Sequence, residues 1–338
     1  MIKKVWFDIT NTPHVHFLLA IQKTLGEEIT GYLFTTRDFS ETVDLLRNRL
    51  PDNNLIILNT KYGKSYLSKL VSIITRLKRI SEQKMNYDLS ISCGSEAAIW
   101  YSRLKGKRTI AFGDNDTARQ WTYGRFVDYS FFPAAIDRNI LERQGLKNKL
   151  YQYHGLKEDI YISYFKPDKR FKSRIPFNEY IVVRPENVHA NYLRNSTVKS
   201  ITPSLLRILA NRGYKVIYLP RYTEDISYAD GLDNIFIPNS PINGLDLCYH
   251  SNAVITGAGT LAREAACLEV PAFSFYAGKE LLAVDKQLIN DNKIYYSRDP
   301  NDIADRIKYT KRSELNFSRS ISVREEVKNK LLEVISMW

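Results

Sequence analysis

Short apolar runs alternate with longer stretches of one-sided apolar periodicity along this chain, and the alternation occurs twice. In the first half, Lys4–Ile9, Tyr32–Thr35, Leu55–Leu58, Leu89–Cys93, Thr109–Phe112 and Tyr129–Phe132 read as buried strands. Helical stretches lie between them at Phe17–Leu25, Glu41–Arg49 and Ser65–Ile80. The last is the longest, with apolar residues at 66, 67, 70, 71, 73, 74, 77 and 80, a one-sided helical period. Short buried strands joined by helices predict a parallel sheet with right-handed crossovers.

The stretch Tyr151–Phe177 breaks this rhythm with its Tyr, Lys, Asp and Pro content, and its part from Lys166 reads as a linker. Alternation then resumes. Strands are expected at Tyr180–Val183, Lys215–Leu219, Ile235–Ile237, Ala253–Thr256, Ala272–Phe275 and Ile294–Tyr296. Helices are expected at Thr202–Ala210, Leu245–Ser251, Leu261–Leu268, Leu281–Asn290 and Asp302–Lys308, with a last amphipathic helix over Ile321–Met337. The fold class that follows is α/β, with two doubly wound Rossmann-like domains and an inter-domain cleft. The expected bounds are 1–165 for the first domain, 166–177 for the linker, 178–318 for the second domain and 319–338 for the terminal helix.

Composition narrows the class without changing that picture. The 338 residues suit two domains, and 44% hydrophobic with 25% charged residues is ordinary for a soluble protein. No apolar run approaches the ~20 residues of a membrane span. Cys93, Cys248 and Cys267 are widely spaced and form no metal-binding pattern, so a cytoplasmic location is expected. The net charge of +12 points to an anionic partner. The bases are spread along the chain, so no nucleic-acid partner is expected.

Loops after strands carry the candidate chemistry. After the first strand comes Asp8–His16. Asn11 or Thr12 is expected to cap a helix with Pro13 at its first position, which sets His14 at the helix N-terminus as a general base or phosphate ligand. The alternative is that His14 packs under the loop. A His14/His16 metal pair lacks a third ligand, and no metal or cofactor is expected. Glu96 falls in the first turn of the helix after the fourth strand, either as a substrate contact or as a complement to the helix dipole. Asp114 follows the fifth strand and is expected to face the cleft, with Asp116 capping a helix that starts at Thr117. In the second half, Arg184 follows its strand and could clamp a diphosphate or form a surface ion pair. Glu186 and His189 lie just beyond. The turn Gly257-Ala258-Gly259-Thr260 between a strand and a helix suits a phosphate, and Glu264 one turn on can reach a ribose. The competing reading is a plain crossover with glycines for tight packing.

Several of these residues also carry a family resemblance. Trp6-Phe7-Asp8-Ile9 with Asn11, Pro13 and His14, the Asp114–Ala118 segment, Phe132-Pro133, Tyr153-His154-Gly155, Phe165–Asp168, Arg184, Gly257–Thr260 and Arg263–Ala266 together resemble the DUF354 family nearly end to end. That group has an expected glycosyltransferase-B-like (GT-B) fold. The second half is similar to the nucleotide-sugar half of MurG-type transferases and UDP-N-acetylglucosamine 2-epimerases. The resemblance implies diphosphate binding at Gly257, Gly259 and Thr260, and ribose binding at Glu264. Ala258 and Glu269 depart from it, each standing where glycine is usual. It further implies that the terminal helix crosses back onto the first domain.

The activity this implies is a metal-independent glycosyl transfer from a nucleotide sugar, UDP-linked, to an acceptor held by the first domain. His14, Asp114 and Glu96 are the candidate bases in that order. A UDP-sugar 2-epimerase and a non-catalytic nucleotide-sugar or polyanion-binding protein are the alternatives. The basic side of Ser65–Ile80, namely Lys69, Arg76, Lys78 and Arg79 with Lys61 and Lys64 before it, is either an ordinary solvated face or a peripheral contact with the inner face of a membrane bearing a lipid-linked acceptor.

Overall fold

The structure is a computed structural model that describes residues 3–38, 40–60, 66–187 and 199–338. The chain divides into two compact units, Met1–Tyr161 with Ile321–Trp338, and Ile162–Ser320. Each is a parallel α/β sheet, as the alternating pattern demands.

The first unit holds β1 (Lys4–Ile9), α1 (His14–Leu25), β2 (Gly31–Arg37), α2 (Ser40–Arg47), β3 (Leu55–Leu58), α3 (Tyr66–Glu82), β4 (Leu89–Ser92), α4 (Glu96–Leu104), β5 (Arg108–Phe112), α5 (Trp121–Gly124), β6 (Tyr129–Pro133), α6 (Arg138–Leu141), β7 (Leu150–Tyr153) and α7 (Lys157–Ile162). Its seven strands run in the order β3-β2-β1-β4-β5-β6-β7, with every pairing parallel. Strand β7 and helix α7 lie where the sequence rhythm breaks, ahead of the expected linker at Lys166, in a stretch where no element is expected.

The second unit holds β8 (Ile181–Arg184), α8 (Thr202–Asn211), β9 (Val216–Tyr218), β10 (Ile235–Phe236), α9 (Gly244–His250), β11 (Ala253–Thr256), α10 (Gly259–Cys267), β12 (Ala272–Ser274), α11 (Ala283–Asn290), β13 (Ile294–Tyr296) and α12 (Pro300–Ile307). The strand order is β10-β9-β8-β11-β12-β13. Its core packs Val183, Tyr218, Ile255 and Phe273 of the sheet with Leu205, Leu209 and Ile303 of the flanking helices. In both sheets the order reverses beside the first strand. Ligands of such sheets bind at that switch point, beyond the carboxyl ends of the strands.

Helix α13 (Ser318–Ser336) ends the chain. Val323, Val327, Leu331 and Val334 are its buried face. A Cβ on Gly155 would stand 2.3 Å from Val323 Cγ2, so only glycine lets the β7–α7 turn meet this helix so closely. Glu326 accepts hydrogen bonds from Tyr151 Oη at 2.8 Å and from the His154 N–H at 3.1 Å.

Helix α3 corrects the sequence reading of its faces. Ser72, Arg76 and Ile80 are buried, whereas Leu70, Val71 and Ile74 are 44%, 61% and 55% exposed. The cause is Asp8, buried near the end of β1. It accepts hydrogen bonds from Thr35 Oγ1 and Ser95 Oγ, both at 2.5 Å, and pairs with the Arg76 guanidinium. A buried carboxylate needs a counter-charge, and supplying it turns Arg76 inward and part of the apolar stripe outward. Lys61, Lys64 and Ser65 lie outside the described residues.

Candidate functional site

In the second unit the carboxyl edge of the sheet gathers Arg184 from β8, the Gly257–Thr260 turn after β11, and Glu264 on α10. The Gly257 N–H donates to Arg184 O at 3.0 Å, and the Ala258 N–H donates to Thr256 Oγ1 at 2.9 Å. Gly259 and Thr260 open α10, whose N-terminus no side chain caps. Helix geometry leaves such first-turn N–H groups without an internal partner, beside the positive end of the dipole. Arg184 Nε is buried without a hydrogen-bond partner among the described residues. Burial pushes the Cys248 thiol well up, and Glu264 adds to the rise while Arg184 opposes it. Arg184 stands opposite Thr256 in the β8–β11 pairing, so its strand end adjoins the turn from which α10 and Glu264 start.

The glycines divide between the two readings. A Cβ on Gly257 would stand 2.7 Å from Glu186 Cα, so that glycine is required for backbone packing. Glu186 itself is locked: its carboxylate accepts from Ser200 Oγ at 2.6 Å, the Ile201 N–H at 3.1 Å and Thr202 Oγ1 at 3.0 Å. At Gly259 a Cβ would meet only side-chain atoms, the nearest being Arg263 Nη2 at 3.2 Å. Arg263 pairs with Asp285 at 2.7 Å. Glu269 takes a left-handed backbone, with φ of 55°. Lys293 Nζ holds its carboxylate at 2.8 Å. His189 lies outside the described residues.

In the first unit a second polar group forms at the carboxyl edge. His14 is the first residue of α1 after Pro13, and no side chain caps that helix. Thr12 Oγ1 instead bonds Thr42 Oγ1 at 2.8 Å, which corrects the expected cap. The His14 N–H donates to Asn11 O at 3.0 Å. Its Nδ1 lies 3.3 Å from Thr10 Oγ1. Burial and the Lys157 ammonium push the imidazole down to about 3, against the opposing pull of Asp114 and Asp8. His14 is thus neutral at physiological pH.

Asp114 is not a lone carboxylate. Lys157, at the start of α7, places Nζ 2.9 Å from its Oδ2. Burial works against the Lys157 charge, but Asp114, with Cys93 and Glu158, outweighs it and holds the lysine above its ordinary range. Burial raises the Cys93 thiol to about 12, so it stays protonated. Glu96 opens α4 and accepts from Thr122 Oγ1 at 3.3 Å. It reaches the group through Tyr123, whose hydroxyl burial raises with help from Glu96, Cys93 and Asp114. The segment after Asp114 holds no helix at Thr117. Asn115 Oδ1, not Asp116, accepts from the Thr117 N–H, at 2.8 Å, and α5 begins only at Trp121.

Lys157 is the residue that motif reasoning missed. A signal was present: a lysine opening a helix beside Glu158 and Asp159 runs against the dipole and needs a carboxylate elsewhere. Among the described residues no three His, Cys, Asp or Glu side chains gather as metal ligands. A cavity of about 390 Å³ opens at the opposite edge of the second sheet, lined by Glu269, Asn292, Lys293, Arg306 and Lys311 among others. The last turns of α10 and α12 face it, and helix C-termini disfavour a diphosphate.

The chain is 27% identical over 334 residues to an uncharacterized protein of Methanocaldococcus jannaschii, covering 95% of this chain and 94% of that one. The UDP-GlcNAc 2-epimerase of Methanocaldococcus jannaschii, solved with UDP-GlcNAc and UDP, is similar with a TM-score of 0.72 at 15% identity, covering 97% of this chain and 99% of that one. The Rickettsia bellii UDP-N-acetylglucosamine 2-epimerase gives 0.70 at 12% identity, covering 100% and 97%. The glycotransferase of kitacinnamycin gives 0.60 at 9% identity, covering 99% and 98%. These likenesses, with the two parallel sheets, give the chain a GT-B-type fold. The sequence model of DUF354, described as a protein of unknown function, matches residues 3–336, and the chain belongs to that family.

Proposed function

We propose that this protein is a metal-independent glycosyltransferase that uses a nucleotide sugar, UDP-linked. The observation that carries the reading is the uncapped α10 N-terminus, with Arg184 at the adjoining strand end and Glu264 one turn inside the helix. First-turn N–H groups and a guanidinium offer charge stabilisation to a departing diphosphate. Glu264 offers a carboxylate to the ribose hydroxyls.

The acceptor is assigned to the first unit. With Nδ1–H donating to Thr10, His14 Nε2 is left as an acceptor for the proton of an attacking hydroxyl. An imidazole with its pKa near 3 is a weak base. A negative charge arriving with substrate would raise it. Asp114, tied to Lys157, acts as an orienting carboxylate in this reading, and Glu96 remains the third candidate.

A 2-epimerase needs several free acid and base groups around one sugar ring. Glu186, the carboxylate just beyond β8, is committed to Ser200, Ile201 and Thr202, which favours transfer over epimerisation. A peripheral contact with an anionic membrane belongs to the same proposal. Leu70, Val71 and Ile74 are exposed on α3, with Lys78 and Arg79 exposed after them. No described helix is long and apolar enough to cross a membrane.

Incubation with UDP-N-acetylglucosamine, with and without candidate acceptors, tests the reading. Release of UDP only with an acceptor supports transfer. An epimer formed without one shows a 2-epimerase, and tight UDP binding with no turnover under any condition shows a binding protein.

A further inference from the structure

Asp285 is a buried carboxylate in the first turn of α11, where it complements the helix dipole. It also comes close to the phosphate turn. Its Oδ2 lies 3.5 Å from the point where a Cβ on residue 259 would stand. Unopposed, that charge would face any anion approaching the first-turn N–H groups of α10.

Arg263 opposes it. One turn on from Gly259, it shares that residue's helix face. Its Nε is 2.7 Å from Asp285 Oδ1, and its Nη2 is 3.2 Å from Oδ2, a two-pronged pair buried on both sides. The same Nη2 lies 3.2 Å from the position that a Cβ on Gly259 would take. Glycine at 259 thus leaves room for the guanidinium beside the turn.

We propose that Arg263 is a positioning residue for the diphosphate: it neutralises Asp285 and holds that carboxylate fixed beside the Gly259–Thr260 turn, so that the turn accepts an anion. The proposal rests on the nucleotide reading above. Repulsion from an unpaired Asp285 grows with the number of phosphate charges and is absent for an uncharged nucleoside. A merely structural Arg263 would weaken every ligand alike.

UDP by calorimetric titration, and uridine by ligand-observed NMR, are measured on the full chain in the native form, Arg263→Gln, Asp285→Asn and the double variant. Arg263→Gln is expected to weaken UDP by roughly tenfold or more and to leave uridine unchanged. Asp285→Asn should bind UDP at least as well as the native chain. The double variant should recover most of the UDP loss. Parallel loss of UDP and uridine, or a double variant as weak as Arg263→Gln, overturns the proposal. If Arg263→Gln does not fold, Arg263→Lys, which keeps the charge, must retain UDP binding, and weaker UDP binding by Asp285→Asn overturns the idea. A native chain that binds UDP while Arg263→Gln binds it equally well removes this proposal alone. A native chain that does not bind UDP removes the nucleotide reading and this proposal with it.

Discussion

Lys157 holds Asp114 at 2.9 Å, in surroundings where burial works to strip the lysine of its charge. The pair joins the loop after β5 to the start of α7, and both ends meet the neighbourhood of His14. Breaking a buried pair from one side leaves a charge without compensation, at a cost of about 3–5 kcal/mol. The Asp114 side chain is 20% exposed, which places the expected loss for Lys157→Met at the low end of that range. Urea unfolding measures it. The double variant Lys157→Met/Asp114→Asn should recover part of the loss. Additive losses in the double variant would show that the two residues do not act as a pair.

The histidines set an acid limit on stability. Burial and Lys157 push His14 down to about 3, and burial with Arg49 pushes His16 down to about 4. An unfolded chain takes up these protons near pH ~6.5. Between that pH and about 4 the unfolded state therefore binds more protons, so stability is full above ~6.5 and falls as the pH drops. Linkage sets an upper bound of about 1.4 kcal/mol per pH unit for each group, lowered by the partial exposure of both rings. Urea midpoints at pH 7.5 and 5 should differ in the native chain and converge in His14→Gln/His16→Gln. An equal slope in both proteins would assign the acid sensitivity elsewhere.

The apolar face of α3 yields a third expectation. Leu70, Val71 and Ile74 stand outward, followed by exposed Lys78 and Arg79. Apolar side chains flanked by bases suit an anionic bilayer surface, where each Lys or Arg adds about 1 kcal/mol. Co-sedimentation with phosphatidylserine vesicles should occur at low salt and fall sharply in Leu70→Ser/Val71→Ser/Ile74→Ser. Arg76 has no place in this test, because it is paired with Asp8 inside the protein. Equal sedimentation of the variant, or none by the native chain, would show that this face does not meet lipid.

The same helix shows where the sequence stops being legible. Strands β1, β3, β11 and β13 have the bounds expected from the sequence, because each centres on a short apolar run with polar or turn residues close on either side. Strand β7 escapes, since Tyr151-Gln152-Tyr153 has no apolar run, although Tyr153 is buried. For α3 the period is right and only part of the expected face is buried: Ile73, Leu77 and Ile80 pack inward, whereas Leu70, Val71 and Ile74 do not, because the choice depends on Asp8, a residue far away in sequence. The site follows the same division. Gly257–Thr260 and Glu264 sit on a local strand–turn–helix pattern that a sequence displays directly. The Asp114–Lys157 and Arg263–Asp285 pairs join distant segments, and only the tertiary structure brings their partners together.

Glu264 gives the decisive measurement for the nucleotide site. It lies in α10 one turn inside the uncapped N-terminus, partly exposed, and does not belong to the apolar core. Arg263 beside it is paired with Asp285. Hydrogen bonds from ribose hydroxyls to a charged acceptor contribute about 1.5–3 kcal/mol. Glu264→Ala should therefore weaken UDP by roughly 10- to 100-fold, at ~1.4 kcal/mol per tenfold. The melting temperature should stay close to that of the native chain, since no core packing is lost. Glu264→Gln should fall between the two, because an amide accepts one such bond without the charge. Titration of UDP and of 2′,3′-dideoxy-UDP sharpens the assignment: the dideoxy ligand lacks both hydroxyls, so it should bind native and Glu264→Ala proteins alike. Equal UDP affinities in two well-folded proteins would take Glu264 out of the site and leave the turn without its ribose contact.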